Sequence, residues 1–285
     1  RSSFTFGFAF TQLRQTLIYL PYQLYFKNSK YWLYGEIGYY DYIYNFFGTG
    51  NQQPDNYLEK YTAAYPRLRI SATRKTGKHI YAGIRYAFDE FALRKFDVNG
   101  ELQKGLITGS KGGTISGGGL VFNYDTRDRL FYPGKGMLAE LVLYGENRFT
   151  GSDFKYSRVA FDASFYHTLK WKHKLVFNVY SLSNFGDVPF QQMAMIGGTK
   201  RMRGYLEGRY RDKCMAMLQA EYRAHLFWRI GAVAFAGAGT VGESIRYDLF
   251  DYVRWTAGGG LRFQLDKIQK VNLRIDYGFG PKTSG

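Results

Sequence analysis

The chain has 285 residues, a formal net charge of +16, 19% aromatic residues and a single cysteine. One cysteine, Cys214, excludes an internal disulfide framework and a cysteine-rich zinc or iron-sulfur centre, and four scattered histidines without an HExxH pairing provide no metal site. Lys and Arg are spread along the whole chain instead of gathering on one segment, so the charge does not mark a nucleic-acid footprint.

No run of eighteen apolar residues is present, so no helix spans a membrane, and the amino end shows no charged-then-apolar leader; Arg1 reads as a mature or trimmed end. A closed barrel crosses lipid with strands of about 9 to 11 residues, and that route stays open.

Alternation with period two begins at once. Phe4, Phe6, Phe8 and Phe10 fall on one side of a strand over 2–10, against Ser3, Thr5, Gly7 and Ala9. Strands follow over 16–26, 30–44 and 60–74; in the last, Leu68, Ile70 and Ala72 oppose Arg67, Arg69 and Ser71. In the first sixty residues Tyr and Phe occupy both faces, so the pattern there does not distinguish inside from outside. Further strands are predicted over 79–90, 114–125, 136–148, 155–168 and 173–184. In the fourth of these, 155–168, Val159, Phe161, Ala163 and Phe165 oppose Arg158, Asp162 and Ser164.

The carboxy-terminal part repeats the pattern over 213–227, 229–241, 254–265 and 269–280. Leu218, Ala220 and Tyr222 oppose Gln219, Glu221 and Arg223; Val271, Leu273, Ile275, Tyr277 and Phe279 oppose Asn272, Arg274, Asp276 and Gly278. Connections at 27–30, 75–78 and 228–229 are tight, whereas 45–59, 91–113, 185–212 and 242–253 are long. Short turns at one end and long loops at the other are the signature of an outer-membrane barrel. Trp32, Tyr39, Tyr40, Trp228 and Trp255, near strand ends, suit the interfacial girdles. A soluble sandwich would bury the apolar face but leave a very polar sheet exterior with too many aromatic faces to cover. The expected fold is therefore all-β, a transmembrane antiparallel β-barrel of about 14 strands (range 12 to 16), because single-chain bacterial barrels carry even numbers.

Two motifs carry a resemblance. Asp125, Thr126, Arg127 and Asp128, then Phe131, Pro133 and Gly136, are similar to the D-x-R-D-x-x-F-x-P-x-x-G turn of the BamA/TamA superfamily of bacterial surface-antigen barrels. Gly197-Gly198, followed by Met202 and then Arg203-Gly204-Tyr205, resembles the entry and the R-G-F/Y signature of that family's lid loop, with Met202 where Val is common. The match runs over most of the chain from about residue 60 onward.

The resemblance implies a lid loop folded into the lumen, its Arg203 meeting acidic residues on the following strands, because an unpaired charge in a partly dry pore is costly. Glu221 fits the first acidic position. Gly237, in Phe235-Ala236-Gly237-Ala238-Gly239, stands where the family has an Asp, which leaves Glu207 and Asp212 in the loop as candidates for a second carboxylate.

It further implies a single barrel domain over 1–285, with a closing strand, a first strand and periplasmic POTRA domains expected outside the given sequence. The implied function is non-enzymatic: insertion or translocation of polypeptides at the bacterial outer membrane. Its partners would be outer-membrane lipid, client polypeptides and periplasmic or lipoprotein accessory subunits, with no cofactor and no nucleic acid. The alternatives are a reduced member without POTRA domains, acting as a small pore or in lipid remodelling, and the translocator of an attached passenger. An enzymatic site would have to use His167 with Ser164 or Asp162, and no spacing predicts their convergence.

Overall fold

The computed structural model describes residues 2–54, 56–130, 132–266 and 271–280. The first strands are β1 (Ser3–Phe4), β2 (Gly7–Phe10), β3 (Thr16–Phe26), β4 (Tyr31–Phe46), β5 (Glu59–Lys75) and β6 (Ile80–Arg94). They continue as β7 (Gly113–Asp125), β8 (Gly136–Glu146), β9 (Tyr156–Thr168) and β10 (Lys174–Gly186). Two short strands follow, β11 (Ala194–Ile196) and β12 (Tyr210–Asp212), before β13 (Cys214–Phe227), β14 (Ile230–Gly242), β15 (Arg254–Gln264) and β16 (Asn272–Phe279).

All but β11 and β12 belong to one antiparallel sheet in which sequence neighbours pair, with β10 next to β13. Both β1 and β2 pair with β3 in one continuous register, Ser3 opposite Gln23 and Gly7 opposite Tyr19, so they are two halves of one row. The interruption lies opposite Pro21, whose nitrogen has no hydrogen for the ladder; only the bond from Thr5 N to Pro21 O, 3.0 Å, remains there. Counted by rows, the described sheet has the thirteen strands read from the alternation.

The alternation has the polarity of a lipid-facing barrel. Phe4, Phe6, Phe8 and Phe10 are 62–73% exposed, and Ile84, Leu218, Leu261 and Ile275 stand out from the same outer surface. Charged and amide side chains point inward, where they meet each other: Arg67 and Arg69 pair with Asp89, and Arg85 with Glu140 at 2.9 Å. The sheet curls far enough for contacts across the lumen. Asn51, in the loop after β4, donates from Nδ2 to Val241 O on β14 at 2.6 Å, and Arg254 on β15 donates to Asn51 O at 2.6 Å.

Two of the expected girdle residues face the other way. Trp32 is buried and stacks on Tyr34, and Tyr40 stacks on Tyr65 under the Arg67 guanidinium; both point into the lumen. They lie in the stretch with aromatics on both faces, where period two has no contrast to read. Tyr39, Trp228 and Trp255 are exposed. Most strand ends fall within two residues of expectation; β6 runs four further, to Arg94, and β11 and β12 lie within a segment read as loop.

Candidate functional site: an arginine clamp between lid and wall

The segment between β10 and β13 is built in two layers. Its root is a single 3-10 turn, Phe190–Gln192, in which Phe190 is fully buried against Phe46 and Tyr61, with ring centroids 5.4 and 5.3 Å away. Gln192 Nε2 donates to Asp89 Oδ2 at 2.9 Å, so the root is also tied to β6 by an amide. Next, β11 and β12 pair with each other, Ala194 opposite Asp212 and Ile196 opposite Tyr210. Ile196, Met202, Tyr205 and Tyr210 form one apolar cluster with Met215, Met217 and Val241 on the inner surface of β13 and β14. Burying such side chains stabilises by about 1.5–3 kcal/mol each, which holds the loop inside against the entropy of ordering it.

The tip of this lid lies on β15 and β16. Gly204 has φ +114°, and a Cβ there would sit 2.6 Å from the Phe279 carbonyl carbon. Across the contact, a Cβ on Gly278 would sit 2.7 Å from Arg203 O. Two glycines thus let two backbones touch. Tyr205 is buried and donates from its hydroxyl to Trp255 O at 2.9 Å, and the Thr256 hydroxyl donates to Arg203 O.

That contact aims Arg203. Its Nη2 donates to Glu221 Oε2 and its Nη1 to Asp276 Oδ2 at 2.7 Å, while the guanidinium lies 3.7 Å from the Phe235 ring centroid. Glu221 also accepts from Arg223 Nε at 2.6 Å, and Asp276 from Arg262. Three guanidiniums therefore share two carboxylates, and the Arg203, Glu221 and Asp276 side chains are each only 11–12% exposed. The planar fork of Arg203 bridges the two carboxylates, one nitrogen to each, which makes this geometry specific.

The structure brings Arg203 to Glu221 and supplies the second carboxylate from an unexpected strand. It is Asp276 on β16, not Glu207 or Asp212: Glu207 sits against Gly198, and Asp212 lies at the hairpin root. Asp276 was visible as a polar-face residue, but only the register across β13 to β16 shows which such residue the lid reaches. The row Glu221, Phe235, Gly258, Gly278 runs across those four strands, with Asp276 one dyad along β16. At Gly237 a Cβ would come 2.9 Å from Gln219 Cβ. The room is taken by Gln219, whose Nε2 donates to Lys200 O at 2.9 Å and whose Oε1 accepts from Met202 N.

The turn motif folds as a compact unit at the opposite end. Arg127 donates to Asp125 from Nε at 2.9 Å and from Nη2 at 3.0 Å. Asp128 Oδ1 accepts from Gly134 N and Lys135 N. Burial pushes the Asp128 carboxyl up, but these two backbone donors and the charges of Arg129 and Lys174 together outweigh it and hold the group below the usual carboxylate range. Pro133 is buried, and Gly136 has φ +99° with no room for a Cβ against Thr126 O. Phe131 lies outside the described residues. Tyr132 turns into the lumen, with Lys174 Nζ 3.5 Å and Arg223 5.2 Å from its ring centroid. His167 is on the outer face of β9, whereas Asp162 and Ser164 line the lumen and are both held by Asn178. That trio cannot converge.

The Omp85 superfamily domain matches residues 3–283. The chain belongs to the Omp85 superfamily. Among solved structures, this Omp85 chain is similar to BamA from Haemophilus ducreyi lacking POTRA domains 1-3, at 19% identity and a TM-score of 0.64, over 95% of this chain and 59% of that one. It is also similar to CdiB from Escherichia coli, at 12% identity and a TM-score of 0.64, over 93% and 49% of the two chains. CdiB from Acinetobacter baumannii aligns at 14% identity and a TM-score of 0.58, over 95% and 47%. The chain thus spans about half to three fifths of the length of these structures, and the likeness shows the fold, a β-barrel. No curated protein matches it.

Proposed function

We propose that this Omp85 barrel assists the insertion or translocation of polypeptides at the bacterial outer membrane, without enzymatic chemistry of its own. The observation that carries the reading is the lid clamp, Arg203 held between Glu221 and Asp276. A barrel that only filled the membrane would have no use for a separately folded segment pinned inside by one charged side chain. A clamp holds the lumen shut and the wall strands β13 and β16 in fixed relation while a client strand pairs at the barrel seam by strand addition. Client polypeptides, periplasmic or lipoprotein subunits and outer-membrane lipid are the partners this work requires, and a single barrel domain is the part of the machine this chain provides. Depleting the protein in its native cell lowers the level of other outer-membrane barrels or of secreted polypeptides, read by quantitative proteomics of membrane and medium. Unchanged levels of both after depletion would overturn the reading.

One observation favours a second reading, a gated anion pore. The lumen cavity of about 480 Å³ beside the lid is lined by Lys200, Arg201, Arg223, Arg262 and Arg274, against Asp162 and Glu221. Cation-lined pores favour anions.

A further inference from the structure

Charge is unequally divided between the two ends of the barrel. At the short-turn end, Lys27 and Lys30 lie in 27–30, Lys78 in 76–79, and Lys170 and Lys172 in 169–173. Arg127, Arg129 and Lys135 lie in 126–135, and Arg229 in 228–229. Against these nine cations the described residues of the six short connections hold two acids, Asp128 and Asp266. At the other end, the described residues of the connections outside the lid carry seven cations and six acids, close to neutrality.

The short-turn cations are available. The five lysines named first, with Arg129 and Lys135, are exposed, and none of them forms an ion pair among the described residues. Outward aromatics sit directly beside them: Phe26 and Tyr31 flank the first turn, Phe227 precedes the fifth and Trp228 lies in it. Such rings mark the level of the membrane interface. At about 3.4 Å per strand residue, cations one to three positions further on reach the depth of lipid phosphates. Trp171 strengthens the placement. It is 85% exposed at a turn tip between Lys170 and Lys172, with φ 56° and ψ 30°, a left-handed conformation that a bulky residue seldom takes.

We propose that the short-turn rim docks the headgroups of acidic glycerophospholipids in the adjoining leaflet. Among the described residues the cations occupy five of the six short connections around the circumference, as an annulus of lipid requires; an acidic protein would be met by a patch on one side. Lysine on a flexible stem beside an interfacial aromatic suits a mobile phosphate, and the attraction is screened by salt. The inference rests on the transmembrane fold and is independent of what the barrel does with polypeptides.

The test reconstitutes the protein in nanodiscs containing brominated phosphatidylglycerol or brominated phosphatidylcholine and reads tryptophan fluorescence, since Trp171 and Trp228 sit at this rim. The expected result is an apparent association with the acidic lipid about threefold or more above that with the zwitterionic one at low salt, falling toward parity at high salt. Substituting Lys27→Gln, Lys30→Gln, Lys170→Gln and Lys172→Gln together brings the ratio to near one. Substituting Lys95→Gln, Lys104→Gln and Lys111→Gln at the far end leaves it unchanged. If the fourfold rim variant does not fold, the salt dependence of the native protein decides. Equal quenching by the two lipids, or a preference that persists in the rim variant, overturns the proposal. Protection of the rim lysines from amine labelling by soluble polyglutamate, without a lipid preference, likewise overturns it in favour of an acidic protein.

Discussion

Arg203 is one of three cations around two carboxylates, and that surplus decides what its removal does. Without it, Glu221 keeps Arg223 and Asp276 keeps Arg262, so the wall stays paired and neutral. Without Glu221, Arg203 and Arg262 share Asp276 alone, about a tenth exposed, and Arg223, a fifth exposed, loses its carboxylate. Arg203→Ala is therefore expected to cost the barrel about 1 kcal/mol while freeing the lid tip. Glu221→Gln is expected to cost about 3–5 kcal/mol, because uncompensated charge stays buried. Urea unfolding in detergent, followed by the gel mobility of folded and unfolded chain, measures both; equal costs would show that the three arginines do not act as one network. Glu221 was legible in the sequence as a polar-face acid on the strand after the lid. Asp276 was legible only as a polar-face acid, since its nearness to Arg203 depends on Gly204 and Gly278 letting two backbones touch across more than seventy residues of chain.

Elements with strong alternation were readable almost to their ends, because a strand between lipid and lumen must change polarity at every step. The lid was not. β11 and β12 are three residues each, and what makes them strands is the wall they lie on, with Ile196 and Tyr210 buried against β13 and β14. Trp32 and Tyr40 failed for the reverse reason: β4 has aromatics on both faces, so its period carries no direction. The lid hairpin also carries a titrating group. Burial, and then the charges of Asp248 and Glu243, push the Asp212 carboxyl up to about 6 from its ordinary 3.8, against the opposing Lys213. A raised folded value means the native hairpin holds this proton more tightly than the unfolded chain. The resulting stability is present below pH 3.8 and is lost as pH rises through about 6. The hairpin of the native protein should accordingly become more sensitive to protease between pH 4 and 7, and Asp212→Asn should flatten that slope. A slope unchanged in the variant would assign it to another group.

At the scale of the whole barrel, the lumen is filled by two different means. Between β4 and β8 the wall fills itself: Tyr34 donates to Glu140, Arg85 pairs with the same carboxylate, and Asn123 donates to Tyr34 at 2.8 Å. Tyr40, Tyr44, Tyr61 and Tyr65 stack beyond them, with Phe190 of the lid root packed on Tyr61, so the wall side chains of that half cannot leave without unfolding a strand. Between β9 and β16 the filling is the lid, a separate segment whose tip is held by Arg203, Met202 and Tyr205. Only this half can open with the sheet intact. Replacing 198–207 by a short Gly-Ser link should then produce a conductance in planar bilayers where the native protein shows little. Arg223, Arg254, Arg262 and Arg274 would remain along the opened wall against Asp162, Glu221 and Asp276, so the reversal potential in a potassium chloride gradient should shift toward chloride. A closed bilayer would mean that the wall side chains collapse into the space, as they do between β4 and β8. A cation-selective current would mean that the carboxylates, and not the arginines, face the path.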